Sequence, residues 1–558
     1  MKNSKRATLL LLVALVSGSM AAQKYKVRSI AWERLEVTSA LDANPDQRAM
    51  EIVKPYKARV DSTMMPVLGL SRVAMAAGRP ESLLGNWAAD VLVEGSTATG
   101  LERADMGLMN VGGLRNNMPE GVVRRGDVML ISPFENRLVV LEMQGKDVKE
   151  LMENIASRGG EGVSSSVRLV IGPDRKVASA TIGGKEIEDN RTYRIATLDY
   201  LAEGNDYMTA LKKATKRHSL NMLVRDVMAE SIIKSRVIDS KIEGRIVLQK
   251  PQGVSCPITT VRLAQPFHAA GPPQTNVQEM KKIFSAIALA ACFCLAGTAQ
   301  ERHLLVLHTS DTHSCVEPVS KNFSDTAQAD KGGFMRRATL VKQLRQQRPE
   351  LLLLDCGDFS QGSAYYNLYR GEVEVALMNE MGYDACTLGN HEFDYGLQNL
   401  ARLIKMAKFP FVCCNYDFKD TPCEGLVKPY IVIERAGARI GILGVAPQPD
   451  GLITKSNYEP MKFIDPAEAA QPVIDILRNR EHCDLVICLS HLGWAKGPGY
   501  DQDFIARTTG LDLLLGGHTH TYLSHPERVL DKAGHEVMVD HMGKNARFVG
   551  TMDITLEP

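Results

Sequence analysis

Cysteine is absent from the first 255 residues of this 558-residue chain, and all 11 cysteines lie between Cys256 and Cys488. Their number is odd, and no pair has the C-x-x-C spacing of a zinc knuckle. These absences argue against a uniform disulfide framework and against a zinc finger. Cysteines inside apolar runs, such as Cys356 and Cys386, are expected to be small buried hydrophobic residues. The change in cysteine use after residue 255 indicates two halves with separate histories.

The chain also has little net charge and no long hydrophobic run. Its formal charge of +1 gives no electrostatic reason to expect a nucleic acid polymer or an anionic membrane as partner. No apolar run reaches the roughly 20 residues of a membrane-spanning helix, so no stable membrane span is expected. The apolar fraction of 44% and charged fraction of 23% are typical of a globular protein with two or three domains.

The first 22 residues have the layout of a secretory signal peptide. Lys2, Lys5 and Arg6 precede a short apolar run, and small residues that suit a signal peptidase follow it. Residues 1–22 therefore predict export, which places the protein in the periplasm or cell envelope.

Residues 280–299 repeat this layout in the middle of the chain. Met280 and two lysines precede an apolar run, and the segment ends in Ala-Gly-Thr-Ala. The four residues that end at Cys292 are similar to a lipoprotein cleavage box. We expect either a new N-terminus near Gln300 or a lipid anchor on Cys292, whereas a buried linker helix would need neither the charged start nor the small-residue end.

A proline-rich stretch separates the two halves of the chain. Residues 250–279 contain five prolines and show neither helical nor strand periodicity, which predicts a linker. It divides a domain at residues 40–249 from a domain at residues 300–558. We interpret the halves as descendants of two adjacent exported proteins that dock across one active site.

In the C-terminal half, apolar runs of strand length end five times in a short polar cluster. The clusters are Asp311-Thr312-His313, Asp358, Asn390-His391-Glu392-Phe393-Asp394, His491 and His518-Thr519-His520. Amphipathic stretches between the runs predict helices, and therefore an α/β domain with largely buried strands. Because ligands of such sheets bind beyond the carboxyl ends of the strands, the clusters are expected to converge at one edge.

The residue types in these clusters predict a metal site. Two carboxylates, one amide oxygen and four imidazoles suit Zn, Mn, Co or Fe, whereas Mg and Ca sites prefer oxygen ligands. Seven ligands exceed one tetrahedral shell, so we predict two divalent ions that share a carboxylate. Such a pair can clamp a phosphoryl oxygen and activate water. The remaining histidines considered are expected to be ordinary surface or core residues: His308, His482, His525, His535 and His541.

The motifs DxH, GD, GNHE, SH and GHTH, in this order, resemble those of the calcineurin-like metallophosphoesterases. The stretches "TLGNHEFDYG" and "GGFMRRATLVKQLR" resemble, more narrowly, the 5'-nucleotidase family, which includes UDP-sugar hydrolases and 2',3'-cyclic phosphodiesterases. The resemblance implies a two-sheet α/β sandwich. It implies one metal ion on Asp311, His313, Asp358 and His520, and another on Asp358, Asn390, His491 and His518. It also implies that His391, oriented by Asp394, contacts the transferring phosphoryl group.

The N-terminal half is predicted to be a separate α+β domain, with a helix over residues 81–90. Its NxGGxR, GDV…PFxN and AEGNDY segments resemble the substrate-binding domain of the same family. The resemblance implies substrate contacts by Asn110, Gly112, Arg115, Phe134, Tyr200 and Asp206, with Arg79 as the nearest match to an upstream phosphate-binding arginine. Phe134 and Tyr200 would sandwich the base, and Asp206 would bind the ribose hydroxyls. The chain departs from the family pattern at Asn205, usually glycine, and at Tyr200, usually phenylalanine.

The resemblance implies hydrolysis of nucleoside 5'-monophosphates as the function. UDP-sugar diphosphatase and 2',3'-cyclic-nucleotide phosphodiesterase activities need the same ligands and stay open as alternatives. A sulfur-ester hydrolase would leave the aromatic pair unexplained. A nucleotide-binding protein with impaired catalysis is the alternative of another class, because the two domains follow each other in the reverse of the family order.

Overall fold

The computed structural model describes residues 25–98, 100–249, 301–320 and 327–558. The predicted signal peptide, the predicted linker and the internal signal-like segment at residues 280–299 lie outside the described residues. Among the helices of the described ranges, none is both long enough and apolar enough to cross a membrane.

The first described strand belongs to the C-terminal half. Strand β1 (Lys26–Glu36) pairs antiparallel with the last strand of the chain. The pairing runs from Lys26 opposite Glu557 to Glu36 opposite Phe548. The first and last strands of the described residues are therefore neighbours in one sheet.

The next helix also packs on the C-terminal half. After a short 3-10 helix, Ser39–Ala43, helix α1 (Gln47–Met64) buries Ala49, Val53 and Val60 in a core that the C-terminal half provides. We call residues 25–64 the N-terminal arm. Helix α1 lies within the range 40–249 predicted for the N-terminal domain, but its apolar side finds its partners in the other half.

The substrate-binding domain predicted in the N-terminal half is α+β, as expected. Its strands are β2 (Val67–Ser71), β3 (Met106–Met109), β4 (Gly121–Arg124), β5 (Arg137–Gln144), β6 (Gly162–Val163), β7 (Val167–Ile171), β8 (Val177–Ile182), β9 (Lys185–Glu186), β10 (Thr192–Leu198), β11 (Lys216–Leu223), β12 (Val237–Ile238) and β13 (Ile246–Leu248). Its helices are α2 (Leu83–Gly95), α3 (Arg125–Ile131), α4 (Gly145–Ser157), α5 (Asp199–Ala202) and α6 (Val224–Ser235). The described strands form sheets of order β11-β5-β10-β3-β6, β12-β2-β4 and β13-β7-β8-β9.

Helix α2 corresponds to the helix predicted over residues 81–90. Ser82 caps its N-terminus, where the Ser82 hydroxyl accepts a hydrogen bond from the Gly85 N–H at 3.2 Å. Leu84 and Trp87 are buried in the domain core, as their helical spacing predicts.

The C-terminal half contains the remaining elements. Its strands are β14 (Arg302–Thr309), β15 (Leu352–Asp355), β16 (Ala385–Cys386), β17 (Phe411–Val412), β18 (Tyr416–Asp417), β19 (Val427–Lys428), β20 (Tyr430–Arg435), β21 (Ala438–Val445), β22 (Lys462–Phe463), β23 (Leu485–Ser490), β24 (Leu513–Gly516), β25 (Glu527–Leu530), β26 (Glu536–His541) and β27 (Phe548–Glu557). Its helices are α7 (Phe334–Gln347), α8 (Ala364–Tyr369), α9 (Glu372–Met381), α10 (Gly396–Met406), α11 (Lys455–Tyr458), α12 (Pro466–Asp475) and α13 (Asp501–Arg507), and a π-helical turn, Ile476–Arg480, extends α12.

Two sheets form the sandwich that the family resemblance predicted. One has the order β1-β27-β14-β15-β16-β17-β19, and the other has the order β20-β21-β23-β24-β26-β25. Between them lies an apolar layer that includes Val306, Leu354, Ile442, Ile487 and Leu515. Helices α7 to α10 cover the outer face of the first sheet, and α12 with α13 covers the second.

The five predicted strand ends meet, although they belong to two sheets rather than one. Strands β14, β15 and β16 are parallel neighbours in the first sheet, and β23 and β24 are parallel neighbours in the second. Parallel strands present their carboxyl ends at the same edge. The two sheets are stacked so that both edges face one region, which holds the site described below.

Candidate metal centre and substrate cavity

The predicted metal ligands lie together where these strands end. Asp311, His313 and His520 bring one donor atom each within 4.8 Å of one another. Two further groups do the same: Asp358, His491 and His518, and His313, Asp358 and His391. The Asn390 amide oxygen is 3.0 Å from His518 Nδ1. Residues separated by more than 200 positions in the sequence therefore form one continuous cluster of donor atoms.

The backbone at many of these ligands is left-handed. Five of the predicted ligands have φ between 45° and 76°: Asp311, His313, Asp358, His518 and His520. Each such conformation costs of the order of 1–3 kcal/mol and persists only where the surroundings enforce it. Hydrogen bonds between neighbouring loops do so here: the Asp311 N–H donates to the Gly357 carbonyl at 3.0 Å, and the His313 N–H donates to the Asp358 carbonyl at 2.9 Å.

Two glycines allow these loops to approach the carboxylates. A Cβ atom on Gly389 would lie 2.1 Å from Asp358 Oδ1. A Cβ atom on Gly517 would lie 2.9 Å from Asp311 Oδ2 and 3.0 Å from His491 Nδ1. Close packing thus requires these glycines of the GNHE and GGHTH segments.

Glu392 joins two of the ligand loops, a role that the sequence analysis did not assign. Its buried carboxylate accepts hydrogen bonds from the N–H groups of Gly389 at 2.6 Å, Asp358 at 3.0 Å and Ser360 at 3.2 Å. Burial and the nearby Asp358 raise the pKa of Glu392 to about 7. The sequence did contain a signal for this role, because Glu392 is the glutamate of the GNHE motif.

His491 is held with one nitrogen atom facing the carboxylates. Its Nδ1–H donates to the Cys356 carbonyl at 2.6 Å, which leaves Nε2 3.1 Å from Asp358 Oδ2. Burial alone would lower the pKa of His491, but Asp358 and then Asp311 outweigh it and raise that pKa to about 10. The surroundings of Nε2 therefore favour positive charge, which either a proton or a metal ion can supply.

On the other side of the cluster, the donor atoms are available to a metal ion. His313 Nε2 and His520 Nε2 are 2.8 Å apart. Burial lowers the pKa of both imidazoles well below the usual range, so both rings are neutral and offer lone pairs. Buried Asp311 Oδ2 has no hydrogen-bond partner among the described residues. Neutral imidazoles and an unpartnered carboxylate oxygen fit a borderline divalent metal ion.

His391 lies beside the cluster, in the 3-10 helix His391–Phe393. Its Nδ1 is 3.1 Å from Asp394 Oδ2, and Arg115 of the N-terminal half donates to its Nε2 at 3.2 Å. Burial alone would lower the pKa of His391, but Asp394 and Asp358 raise it above its usual value. The ring is thus oriented by a carboxylate and directed toward the N-terminal half.

A cavity of about 440 Å³ adjoins the donor cluster and is lined by both halves of the chain. From the predicted site it includes Asn110, Gly112, Arg115, Phe134, Tyr200, Asp206, Asp358, Asn390, His391, Asp394, His518 and His520. The predicted substrate residues and the predicted catalytic residues therefore border one space.

Within the cavity the substrate residues contact one another. The Asn110 amide donates to Asp206 Oδ2 at 2.6 Å, and the Tyr200 hydroxyl is 3.5 Å from Asp206 Oδ1. The Phe134 ring lies 5.8 Å from the His391 ring, with 32° between their planes, and the Arg115 guanidinium lies 5.3 Å from the Phe134 ring centre. Aromatic and polar groups thus share the wall opposite the donor cluster.

Arg79 is not brought to this cavity. Its guanidinium is bound by the buried Glu161 carboxylate and donates to the Gly160 carbonyl at 2.8 Å. The cavity instead gains contacts that the sequence analysis missed, including Tyr395, whose hydroxyl donates to Glu135 of the other half at 3.3 Å. Both lie beside recognised motifs, since Glu135 follows Phe134 and Tyr395 follows Asp394.

The histidines expected to be ordinary residues lie outside the donor cluster. His308 and His541 are buried and bind Asp540 and Asp501, at 2.9 and 2.8 Å. The three remaining ones are exposed: His482, His525 and His535.

Comparisons with known proteins match this arrangement. The calcineurin-like phosphoesterase family matches residues 304–522, and the 5'-nucleotidase C-terminal domain family matches residues 63–213. The 5'-nucleotidase of Rattus norvegicus is 34% identical over 243 residues, which cover 42% of this chain and 41% of that protein. The trifunctional nucleotide phosphoesterase protein YfkN of Bacillus subtilis (strain 168) is 22% identical over 514 residues, which cover 79% of this chain and 34% of that protein.

Solved structures are also similar to part of the chain. The 5'-nucleotidase precursor from Thermus thermophilus is 33% identical, with a TM-score of 0.40, over 45% of this chain and 50% of that chain. The chain spans about two fifths of the length of the first curated relatives that it matches.

The C-terminal half is thus a calcineurin-like metallophosphoesterase domain, a class of metal-dependent phosphoester hydrolases. The N-terminal half matches the 5'-nucleotidase C-terminal domain family, so the domain named for the C-terminus precedes the phosphoesterase domain in this chain. The two expected domain families and the expected fold class are confirmed.

The donor cluster predicts the effect of removing the central carboxylate. We expect Asp358→Ala to lose bound metal, because Asp358 contributes to two of the donor groups. The wild-type protein should lose thermal stability on addition of chelator, and the variant should not respond, since a ligand stabilises only a state that binds it. Elemental analysis and thermal unfolding with and without chelator measure both effects. Asp189→Ala, which breaks an exposed ion pair with Lys149, is the control and should keep its metal.

Proposed function

We propose that this protein is an exported, dinuclear-metal phosphohydrolase that releases phosphate from nucleoside 5'-monophosphates. The observation that carries the proposal is the shared cavity: groups suited to a nucleoside line one wall, and the donor cluster with His391 lines the other. Its dimensions suit a small-molecule ligand, which such clefts of a few hundred Å³ enclose.

Each ligand is assigned to one of two metal positions. One ion is held by Asp311, His313, Asp358 and His520, and the other by Asp358, Asn390, His491 and His518. The donor groups around Asp311 and around Asp358 with His491 support this division. Asp358 also forms a group with His313, a ligand of the first position, which supports Asp358 as the shared ligand. Ions of the Zn, Mn, Co or Fe type would supply Lewis-acid activation of water and of the phosphoryl group.

His391 is assigned to the phosphoryl group itself. Its Nε2 points away from Asp394 and accepts a hydrogen bond from Arg115. An imidazolium cannot accept such a bond, so protonation of His391 requires Arg115 to turn to another acceptor. A phosphate oxygen is a suitable acceptor for the guanidinium, because arginine binds phosphate with several N–H donors. With Arg115 and His391 both directed at it, the phosphoryl group would be neutralised from one side.

The opposite wall is assigned to the nucleoside. Phe134 and Tyr200 would stack on the base, which tolerates different bases because each has an aromatic face. Asp206 would accept hydrogen bonds from the ribose hydroxyls, and Asn110, which already donates to Asp206, would hold this carboxylate in place. Gly112 and Arg115 complete the contacts to base, ribose or phosphate, and Arg79 has no part in this cavity.

The related activities use the same site. UDP-sugar diphosphatase and 2',3'-cyclic-nucleotide phosphodiesterase reactions would need the same ligands and the same aromatic wall. A sulfur-ester hydrolase leaves that wall without a purpose. A binding protein with impaired catalysis is disfavoured, because the donor atoms of both groups are held within 4.8 Å of one another.

A panel of substrates tests the reaction class. We expect metal-dependent phosphate release from AMP, abolished by chelator and restored by a divalent transition metal. UDP-glucose and 2',3'-cAMP, assayed at equal concentration, decide between the related activities. Binding of AMP without hydrolysis of any of the three would favour the binding-protein alternative.

Replacing His391 should separate catalysis from metal binding. His391→Ala is expected to keep its metal while kcat for AMP falls by roughly 10²-fold or more, as for loss of one charge-stabilising group. His535→Ala, at an exposed histidine, serves as the control and should behave as wild type. Full activity of His391→Ala would contradict the assignment.

The aromatic residues should affect the nucleoside and not the chemistry. Phe134→Ala and Tyr200→Ala are each expected to weaken AMP binding by about 1–3 kcal/mol, the usual contribution of base stacking. Hydrolysis of p-nitrophenyl phosphate should change little. Tyr207→Ala, at a tyrosine 69% exposed and outside the cavity, is the matched control. Equal losses on both substrates would mean that the two aromatics stabilise the fold instead.

A further inference from the structure

The N-terminal arm adds the edge strand β1 to the first sheet of the C-terminal half. Strand β27 lies between β1 on one side and β14 on the other. The pairing with β1 extends from Glu557 back to Phe548 and thus covers nearly all of β27. Without β1, the N–H and C=O groups on this side of β27 would form an open sheet edge, which proteins normally cover or interrupt.

A buried charge of the C-terminal half finds its counter-charge on this arm. Asp540 Oδ2 is 2.9 Å from His308 Nε2, and both side chains are completely buried. Arg34 of β1 donates to Asp540 Oδ1 at 2.7 Å and to the Leu523 carbonyl at 3.0 Å. Its side chain is only 8% exposed. A buried carboxylate that loses its cationic partner is strongly destabilising, so this contact matters more than a surface ion pair.

Helix α1 adds an apolar contact to the strand. Ala49, Val53 and Val60 lie in one core with residues of α7 and α9, such as Val341 and Leu377. The Tyr56 hydroxyl donates to Glu372 at the start of α9 at 2.8 Å. The arm is therefore packed as part of the C-terminal core and not as a loosely attached segment.

Further polar contacts fix the chain between β1 and α1. The Val37 N–H donates to the Arg547 carbonyl, and the Gly332 N–H donates to the Val37 carbonyl, both at 2.8 Å. The Asp46 N–H donates to the Thr339 hydroxyl at 2.9 Å. Contacts thus follow the arm along its length, and all of these partners belong to the C-terminal half.

We infer that the N-terminal arm is a docking element that holds the two halves together as a stable complex without the covalent connection between them. The halves meet a second time at the cavity, where Arg115 contacts His391 and Glu135 contacts Tyr395. The arm places the N-terminal half over the metal centre. The reverse domain order is compatible with a complete site, because residues on either side of the connection make both sets of contacts.

Specific cleavage of the full chain tests this inference. A protease recognition sequence is inserted within residues 250–279, and the purified protein is cut, with completeness judged on a denaturing gel. The two fragments should co-elute as a 1:1 complex with the mass of the uncut chain. Light scattering gives the mass without reference to activity, so failure of the proposed function would not affect the result.

The arm contact is then weakened in the same protein. After cleavage, the two fragments of Arg34→Ala should bind each other at least roughly 30-fold more weakly than the wild-type fragments do. This is the effect expected for loss of one partner of a buried charge pair. The uncut variant is its own folding control, because the covalent connection keeps the effective concentration of the halves high. Arg34→Lys keeps the charge and should release them less.

A residue of the same strand gives the matched control. Arg28 forms an ion pair with Glu301 in which the two side chains are 57% and 42% exposed. Because exposed pairs contribute about 0–1 kcal/mol, Arg28→Ala should change the affinity of the cut halves by less than about fivefold. Separation of the wild-type fragments on cleavage, or equal behaviour of Arg34→Ala and Arg28→Ala, would overturn the inference. A mass of twice the chain for the cut complex would also overturn it, by assigning the arm to a second copy.

Discussion

The concentration of buried ionisable groups at one end of the sandwich is the constraint on which the other features of the site depend. Asp311 and Asp358 lie 4.0 and 3.1 Å from His491 Nε2, and Glu392 is buried beside Asp358. Burying charge without compensation is costly. The protein compensates with backbone N–H donors and with imidazoles held in defined orientations. A bound metal ion would further compensate the buried negative charge. The unpartnered Asp311 oxygen and the neutral rings of His313 and His520 are suitable ligands for it.

Holding these groups requires an unusual backbone. Left-handed ligand residues, glycines without room for a Cβ atom and the three N–H groups bound by Glu392 all serve the same purpose. Each brings a loop closer to the carboxylates than an ordinary turn would allow. The strain is supported by the two stacked sheets, whose buried strands are the rigid part of the domain.

The same reasoning extends to the arm. Asp540 and His308 are buried beneath β27, and the cation that compensates Asp540 comes from Arg34, more than 500 residues away in the sequence. One sheet therefore depends on both ends of the chain. The cavity has the same dependence, because its lining includes Phe134 and Tyr200 from one half and His391 and His518 from the other.

Local features could be predicted from the amino-acid order alone. The five strand ends, their polar clusters, helix α2 and the α/β and α+β classes follow from periodicity and motif spacing, which depend on neighbouring residues. The arm could not be predicted in this way. β1 and β27 pair across nearly the whole chain, and no local pattern in residues 26–36 specifies a partner at residues 548–557. The positions of Arg79 and Glu392 could not be predicted for the same reason. A motif indicates that a residue belongs to a site, but only packing decides that Arg79 binds Glu161 and that Glu392 joins two loops. Packing also made two sheets share the site, because the stacking of sheets depends on side chains that are distant in sequence.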